Sequence, residues 1–233
     1  MSKTTGEDLP AALVFDLDGT LVDSVGSVAA AVNAAVAAEG LLPLTIEQTK
    51  EHVGEGALHM ISSVLASGGL TLDDALVQRC VERYIAAYLD DPATHTRIFP
   101  GVVEVLEEFR RSGITMGVCT NKPGALANAV LHHLRLSRFF CAVVSPDDTE
   151  HRKPDGRHIH ATLREMKVFD KVAILIGDSE TDVLAGSDAG LKTILLTHGY
   201  RRGPIAEERA DIVIDHFADL PDAVRSITRM LIS

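Results

Sequence analysis

The 233-residue sequence predicts an α/β fold, a doubly wound parallel sheet with a small helical domain inserted after the first strand. Short apolar, β-branched runs alternate with helix-length stretches over most of the chain. This alternation is typical of parallel strands that are covered by helices on both faces. It stops between residues 24 and 96, where only helix-like segments occur. Hydrophobic residues make up 46% of the chain, which is enough to build a packed core.

The predicted strands are short runs that are apolar at both odd and even positions and are followed by polar turns. They span residues 11–15, 114–119, 142–145, 172–176, 193–196 and 212–214. Helices are predicted between and after them, over residues 102–111, 125–134, 158–166, 180–189 and 219–230. Right-handed crossovers would place these helices on both faces of one sheet.

The segment after the first strand predicts a separate helical domain. Gly40 follows its first helix, and Gly68 with Gly69 separates its third helix from its fourth. The four helices are predicted over residues 25–38, 45–53, 57–65 and 73–89. We therefore expect a core domain of residues 1–23 and 97–233, and a helical domain of residues 24–96 with hinges near both of its ends.

The charge balance limits the classes of partner. The chain has 22 basic and 33 acidic residues, a net charge of −11 with His neutral, which argues against nucleic acids and anionic membranes. Its three widely spaced cysteines offer neither a disulfide framework nor a CxxC zinc site. The polar first ten residues are unlike a signal peptide, and no apolar run approaches the length of a membrane span. Composition alone predicts a soluble, cytoplasmic, acidic protein, which we expect as a monomer or a homodimer. The residues at the strand ends add the expectation of a small-molecule partner.

Polar residues follow four of the predicted strands, where ligands bind in open α/β sheets. These residues are Asp16 and Asp18, then Thr120, Asn121 and Lys122, then Lys153, and finally Asp178 and Asp182. Several carboxylates with one ammonium group are the side chains expected to hold Mg²⁺ together with a phosphate, because Mg²⁺ prefers oxygen ligands and Lys adds positive charge.

Two carboxylates one residue apart at a strand end can share the chemistry of phosphoryl transfer. One can attack phosphorus and form an aspartyl phosphate. The other can protonate the leaving oxygen and later deprotonate the attacking water. Taken singly, Asp178, Asp182, Thr120 and Lys153 have ordinary structural interpretations as caps, turn residues or surface groups. The Asp-x-Asp-Gly-Thr string, by contrast, is expected by chance in about one chain per thousand of this length.

These strings resemble the four motifs of the haloacid-dehalogenase-like (HAD) phosphohydrolases. The motifs correspond to residues 16–24, 120–123, 153–154 and 177–182. The resemblance implies that Asp16 is the nucleophile and Asp18 the acid/base, that Thr120, Asn121 and Lys122 bind phosphate or substrate, and that Lys153 neutralises charge. It implies Mg²⁺ held by Asp16, the Asp18 main-chain carbonyl and Asp178, with Asp182 close by. The inserted helices are similar to the mobile cap of this family, which closes over the substrate.

Within that family, further strings resemble the phosphoglycolate phosphatases and imply 2-phosphoglycolate as substrate. They are residues 53–57, 99–102, 120–123 and 197–200. Gly54 and Gly56 would let main-chain amides approach a small anion, with Glu55 between them; a plain turn is the alternative. The sequence departs from the pattern at Glu55, which is an awkward charge beside an anionic substrate. It departs again at residues 153–156, which read Lys-Pro-Asp-Gly.

Other functions remain open for the same motifs. A phosphatase for a sugar phosphate or a nucleotide and a β-phosphoglucomutase-like phosphosugar mutase are the enzymatic alternatives. Between residues 44 and 61 the only basic or imidazole side chains are Lys50, His52 and His59, fewer than the basic anchors expected of a mutase. A phosphonate-cleaving relative is disfavoured because Asp18 is present. A non-turnover phospho-accepting regulatory module is the alternative from another class, disfavoured because Asp18, Lys153 and the cap are all present.

The remaining candidate residues favour structural interpretations. The pairs His132–His133 and His158–His160 lack the i, i+4 spacing of a helical metal site, so we expect surface or capping histidines. Arg201 and Arg202 predict an exposed basic pair rather than an anion sensor.

Overall fold

The computed structural model describes residues 9–200, 207 and 209–232. Its main sheet has six parallel strands in the order β5-β4-β1-β6-β7-β8. These strands are β1 (Ala12–Phe15), β4 (Thr115–Cys119), β5 (Ala142–Val144), β6 (Ala173–Gly177), β7 (Lys192–Leu196) and β8 (Ile212–Ile214). Two short strands, β2 (Val22–Asp23) and β3 (Arg97–Ile98), form an antiparallel pair outside this sheet. The predicted α/β class is confirmed.

The helices follow the predicted alternation. Four of them lie between β2 and β3, namely α1 (Val25–Val36), α2 (Ile46–Lys50), α3 (Ala57–Ser67) and α4 (Asp74–Asp90). The others are α5 (Val102–Arg111), α6 (Gly124–His133), α7 (Gly156–Glu165), α8 (Glu180–Asp188) and α9 (Leu220–Ile232). Among the described residues, none of these helices is both long and apolar enough to cross a bilayer.

Strand β1 lies at the centre of the sheet and is buried on both faces. Its four residues are fully inaccessible, which explains their continuous apolar run. On one face Val14 shares a hydrophobic cluster with Leu163 of α7, and on the other Phe15 shares a cluster with Leu106 of α5 and Val224 of α9. Full burial of each of these side chains stabilises the fold by about 2 kcal/mol. Helices therefore cover both faces, as the sequence predicts.

The order of the strands places a switch point beside β1. After β1 the chain builds β4 and β5 on one side, then crosses to β6, β7 and β8 on the other. Strand ends on the two sides of such a switch diverge and leave a crevice at the carboxyl edge of the sheet. The residues that follow β1, β4 and β6 therefore meet at one place.

The four helices between β2 and β3 pack mainly through α1 and α4, with α3 against α4. Thr45 and Gln48 form a capping box that starts α2, and Asp73 caps α4 by accepting from Leu76 N. The two chain crossings into and out of this segment lie side by side, because Val22 pairs with Ile98 and Asp23 pairs with Arg97. The helical segment is thus joined to the sheet region through a single two-stranded ribbon.

Candidate active site

Lys153 connects the residues that follow β1 and β6. Its Nζ lies 2.7 Å from Asp16 Oδ1 and 2.6 Å from Asp182 Oδ1, and only 2% of its side chain is exposed. Ligand atoms of Asp16, Asp178 and Asp182 all lie within 4.8 Å of one another. The structure therefore brings together the carboxylates and the lysine that the sequence predicts at the sheet edge.

Asp178 is held by main-chain and side-chain donors in a glycine-lined space. Its Oδ1 accepts from the Thr20 hydroxyl at 2.8 Å, and its Oδ2 accepts from Tyr200 N at 2.7 Å. A Cβ atom at Gly19 or at Gly199 would overlap this carboxylate. Gly19 also has a φ of +90°, so the turn after β1 needs glycine for two reasons. The position of Asp178 is fixed by its surroundings.

Asp182 uses both carboxylate oxygens on protein donors. Oδ1 accepts from Lys153, and Oδ2 accepts from the Ser179 hydroxyl at 2.6 Å and from the main-chain N–H groups of Asp178 and Ser179. The contacts with Ser179 form a capping box at the start of α8. Asp182 is thus engaged in positioning Lys153 and the turn that carries Asp178.

Asp18 faces the start of α1 rather than the acidic cluster. Its carboxylate accepts from the Ser24 hydroxyl, and Lys122 Nζ lies 3.1 Å from both of its oxygens. Lys122 is itself buried, with Nζ 4.2 Å from the ring centre of Tyr88 in α4. Lys122 therefore connects the sheet edge to the inserted helices.

Thr120 and Asn121, which follow β4, line the same edge. The Thr120 hydroxyl accepts from Lys122 N at 3.1 Å. Asn121 Nδ2 donates to the Gly54 carbonyl at 2.9 Å and to the Lys153 carbonyl at 2.8 Å, while Oδ1 accepts from Lys153 N at 3.0 Å. The Asn121 side chain is thus committed to holding two loops, which leaves its main chain as the part that can face a ligand.

The loop of residues 54–56 reaches the site from the inserted helices. Gly54 and Gly56 have φ values of +116° and +92°, which favour glycine, and a Cβ at Gly56 would lie 3.2 Å from the Asn121 carbonyl oxygen. Glu55 lies between them and pairs with His59 at 3.2 Å, with 40% of its side chain exposed. Glu55 also lines a cavity that contains Asp16 and Asp178, so its carboxylate lies at the border of the site, beside His59.

Two cavities share Asp16 and Asp18 in their linings. The inner one, of about 40 Å³, is bounded by Gly54, Thr120 and Tyr84 of α4. The outer one, of about 290 Å³, is bounded by Asp178 and Tyr200, among others. A ligand placed at Asp16 would therefore border both cavities.

Burial makes the acidic cluster electrostatically unfavourable on its own. It raises the pKa of Asp16 to about 7, with Asp182 and Asp18 adding to the increase and Lys153 opposing it. Burial, Asp182 and Asp16 raise the pKa of Asp178 well above its usual range. Burial lowers the pKa of Lys153, but Asp16 and Asp182 raise it more, so Lys153 is a cation. One ammonium group therefore faces three carboxylates.

The residues present fit a divalent cation such as Mg²⁺. The donor set consists of carboxylate oxygens, which are the ligands that Mg²⁺ prefers. Burial, with repulsion between the carboxylates, raises the pKa values of Asp16 and Asp178, and an added positive charge would offset both effects. Asp178 fits as a ligand better than Asp182, because each of its oxygens accepts from one neutral donor, whereas Asp182 Oδ2 already accepts from three donors and Oδ1 from the Lys153 ammonium group.

Four residues at the site were not singled out from the sequence. Thr20 and Ser24 lie within the first motif, and Tyr200 ends the string of residues 197–200, so a signal for these three was present in the sequence. Tyr84 lines the inner cavity from a helix whose pattern indicates only a buried face. The sequence does not show which residue each of these side chains contacts.

The histidine predictions need one correction. His132 and His133 are exposed, as expected, but His158 is fully buried and is not a surface histidine. Its Nδ1 accepts from Lys153 N at 3.3 Å, an amide that also donates to Asn121. Lys153 N thus divides its hydrogen bond between Asn121 Oδ1 at 3.0 Å and His158 Nδ1 at 3.3 Å. Arg201 and Arg202 lie outside the described residues.

His158 is expected to make the stability of the fold depend on pH. Burial and Lys153 lower its pKa to about 4, against the smaller opposing effects of the Val144 carbonyl, Asp148 and Asp155. Since the unfolded chain binds this proton near pH 6.5, stability is present above that pH. It should be lost as the pH falls toward 4, by up to about 3 kcal/mol. Urea unfolding at pH 7.0, 5.5 and 4.5 measures this loss.

The matched variant is His158→Asn, which keeps an acceptor near Lys153 N but does not titrate. It should lose less stability than wild type between pH 7.0 and 4.5, because the other histidines titrate equally in both proteins. Equal losses in the two proteins would show that His158 does not carry this dependence.

Comparison with known proteins extends these observations. A model of haloacid dehalogenase-like hydrolases matches residues 13–196. The phosphoglycolate phosphatase of Agrobacterium fabrum (strain C58) is 38% identical over 220 residues, 94% of each chain. That of Caulobacter vibrioides is 39% identical over 91% of this chain and 90% of its own. The crystal structure of a predicted phosphoglycolate phosphatase from Haemophilus somnus 129PT has the same fold, with a TM-score of 0.84 at 24% identity, covering 94% of this chain and 99% of that one. The expectation drawn from the four motifs is confirmed: the chain belongs to the haloacid dehalogenase-like hydrolase family.

Proposed function

We propose that the protein is a Mg²⁺-dependent phosphomonoesterase that hydrolyses 2-phosphoglycolate to glycolate and phosphate. The observation that carries the proposal is the geometry at Asp16. One of its oxygens is held by Lys153 at 2.7 Å, and it shares two cavities with Asp18. The names of the relatives from Agrobacterium fabrum and Caulobacter vibrioides support the choice of substrate.

In the proposed reaction Asp16 and Asp18 divide the chemistry. A carboxylate oxygen of Asp16 attacks phosphorus, the bond from phosphorus to the ester oxygen breaks, and Asp18 gives its proton to the leaving glycolate oxygen. Asp18 then accepts a proton from water, which attacks the aspartyl phosphate, releases phosphate and regenerates Asp16. Before the first step Asp18 must bind a proton and loosen its contact with Lys122.

Lys153, Lys122, Thr120 and Asn121 are proposed to bind the phosphoryl group. Lys153 would supply the fixed positive charge that stabilises the transferring oxygens. The hydroxyl of Thr120 and the main chain of Asn121 are proposed as the neutral contacts, since the Asn121 amide is engaged with Gly54 and Lys153. Lys122 reaches the same anion from beside Asp18.

Asp16, Asp178 and the main-chain carbonyl of Asp18 are the proposed ligands of Mg²⁺. When bound, Mg²⁺ supplies charge that screens the anionic ester from the anionic nucleophile. Asp182 is proposed to act beside this set by holding Lys153, as its hydrogen bonds suggest. The acidic cluster supports this assignment.

The division into a core of residues 1–23 and 97–233 and a cap of residues 24–96 is part of the proposal. The ribbon of β2 and β3 is the proposed hinge. The cap would bring the loop of Gly54, Glu55 and Gly56 over the substrate, where Gly54 already contacts Asn121. The proposed site of action is the cytoplasm.

A screen of phosphate release tests the substrate and the cation together. With Mg²⁺, we expect the highest kcat/KM for 2-phosphoglycolate among a panel of sugar phosphates and nucleotides. In excess EDTA we expect the rate to fall at least about 100-fold, or about 2.7 kcal/mol, because a bound cation supplies several kcal/mol of charge stabilisation.

Three results would contradict the proposal. A sugar phosphate or nucleotide preferred by tenfold or more, about 1.4 kcal/mol, would replace 2-phosphoglycolate as the substrate. Conversion of a sugar phosphate into its isomer without phosphate release would instead identify a mutase. A labelled Asp16 that never releases phosphate from any ester would point to a regulatory module.

A further inference from the structure

Tyr200 contacts both the acidic cluster and the start of the first inserted helix. Its main-chain N–H donates to Asp178 Oδ2 at 2.7 Å. Its hydroxyl donates to Asp23 Oδ1 at 2.6 Å and accepts from the main-chain N–H groups of Ser24 at 2.8 Å and Val25 at 3.1 Å. Tyr200, 8% exposed, thus contacts Asp178 through its main chain and, through its hydroxyl, residues about 175 positions away in sequence.

The hydroxyl of Tyr200 takes the place of a capping side chain. The first N–H groups of a helix have no acceptor within the helix, and leaving them buried and unpaired costs about 1–3 kcal/mol each. Ser24, the residue that precedes α1, does not cap it, because its hydroxyl donates to Asp18 instead. Tyr200 supplies the missing acceptor. The N–H groups at the start of α1 are therefore paired only while α1 contacts the Tyr200 hydroxyl.

The other end of Tyr200 is fixed just as firmly. A Cβ atom at the preceding residue, Gly199, would overlap Asp178, so this segment lies directly on the carboxylate. Asp23, the acceptor of the hydroxyl, lies in β2, whose pairing with β3 forms the ribbon into the inserted helices. Asp178 is therefore linked to the ribbon and to α1 through the main chain and the ring of Tyr200.

We propose that Tyr200 is a positioning residue that couples the occupancy of Asp178 to the position of α1. The inference rests on the proposed role of Asp178 as a Mg²⁺ ligand. Cation and phosphate bound at Asp178 would favour the arrangement in which α1 starts on the Tyr200 hydroxyl. By reciprocity, that arrangement would raise the affinity for the cation by the same factor.

The variant Tyr200→Phe tests this coupling, because it keeps the ring and the main-chain contact with Asp178 and removes only the hydroxyl. Hydrogen exchange is measured on the peptide of residues 22–28, with and without Mg²⁺ and inorganic phosphate. In wild type, adding Mg²⁺ and phosphate should slow the exchange by about tenfold, which lies within the range of ordinary coupling energies. In Tyr200→Phe it should slow the exchange by less than about twofold. The Kd for Mg²⁺, measured by calorimetry without substrate, should rise by about fivefold in the variant.

Thr228→Val is the matched control, because it removes a buried hydroxyl that bonds within α9, away from the site. It should respond to Mg²⁺ and phosphate as wild type does. Asp23→Ala removes the acceptor of the Tyr200 hydroxyl. It should also reduce the slowing of exchange by Mg²⁺ and phosphate, and it replaces Tyr200→Phe as the test variant if Tyr200→Phe does not fold.

The outcomes separate the coupling from the proposed function. If Tyr200→Phe and Asp23→Ala respond to Mg²⁺ and phosphate as wild type does, the coupling is wrong while the metal site stands. If wild type shows neither the slowed exchange nor any effect of Mg²⁺ on phosphate release, the proposed role of Asp178 as a Mg²⁺ ligand is wrong, and so is the coupling.

Discussion

Replacing Asp16 by Asn is expected to lower the rate of phosphate release at least about 10⁴-fold, or about 5.4 kcal/mol, because the amide cannot attack phosphorus. The fold should survive the change. Asn has nearly the same shape, and Lys153 keeps its contact with Asp182 at 2.6 Å. Because burial raises the pKa of Asp16 to about 7, its charge is unfavourable in the folded protein above that pH. The Tm of Asp16→Asn at pH 8 without Mg²⁺ should therefore equal or exceed that of wild type.

Asp222→Asn is the matched control for this prediction. It makes the same chemical change on α9, where the carboxylate is 87% exposed and pairs with Arg225. Its activity should equal that of wild type. Retention of more than about a tenth of wild-type activity by Asp16→Asn, measured under single-turnover conditions, would mean that another group attacks phosphorus.

Replacing Lys153 by Met is expected to destabilise the protein by about 3–5 kcal/mol at pH 8 without Mg²⁺. The change leaves Asp16 and Asp182 buried beside each other without the ammonium group that lies 2.7 and 2.6 Å from them. Phosphate release should also fall by about 10³-fold, because a fixed positive charge at the transferring group is lost. Urea unfolding in EDTA and the phosphate-release assay measure the two effects.

The pH dependence of Lys153→Met distinguishes charge from packing. Without the lysine, protons should relieve the repulsion between the two carboxylates, so the deficit in stability should shrink between pH 8 and pH 5.5. Lys192→Met is a suitable control, since Lys192 pairs with Asp211 at the surface and 43% of its side chain is exposed. Its stability should change by less than about 1 kcal/mol. A deficit in Lys153→Met that is independent of pH would indicate a packing defect and contradict the electrostatic account.

The sequence predicts the elements of the fold well where one physical effect dominates. Strand β1 is predicted because a strand covered on both faces must be apolar at every position. Boundaries set by single side chains are predicted less well. The helix predicted over residues 45–53 ends at Lys50, and the chain turns toward Gly54, whose φ of +116° is not helical. Helix α7 starts two residues early because Asp155 caps it.

The residues of the candidate site likewise fall into those that the sequence predicts and those that it does not. Asp16, Asp178 and Lys153 are found from sequence because each directly follows a strand or lies in a short motif, and the topology brings strand ends together. The roles of Tyr200 and His158 depend on contacts with Val25 and with Lys153 N that no local pattern specifies. A histidine in a helical stretch has the same local signature whether it is exposed or holds a loop from beneath. Only the packed structure distinguishes the two.

Trapping of the reaction intermediate tests the central claim most directly. Wild-type protein is mixed with Mg²⁺ and 2-phosphoglycolate, quenched in acid within milliseconds, reduced with borohydride and digested. Borohydride converts an aspartyl phosphate to homoserine, which peptide mass spectrometry locates. Homoserine is expected at position 16, not at Asp18, and nowhere without substrate. Rapid phosphate release with no homoserine at position 16, or with homoserine at another aspartate, would contradict the central claim.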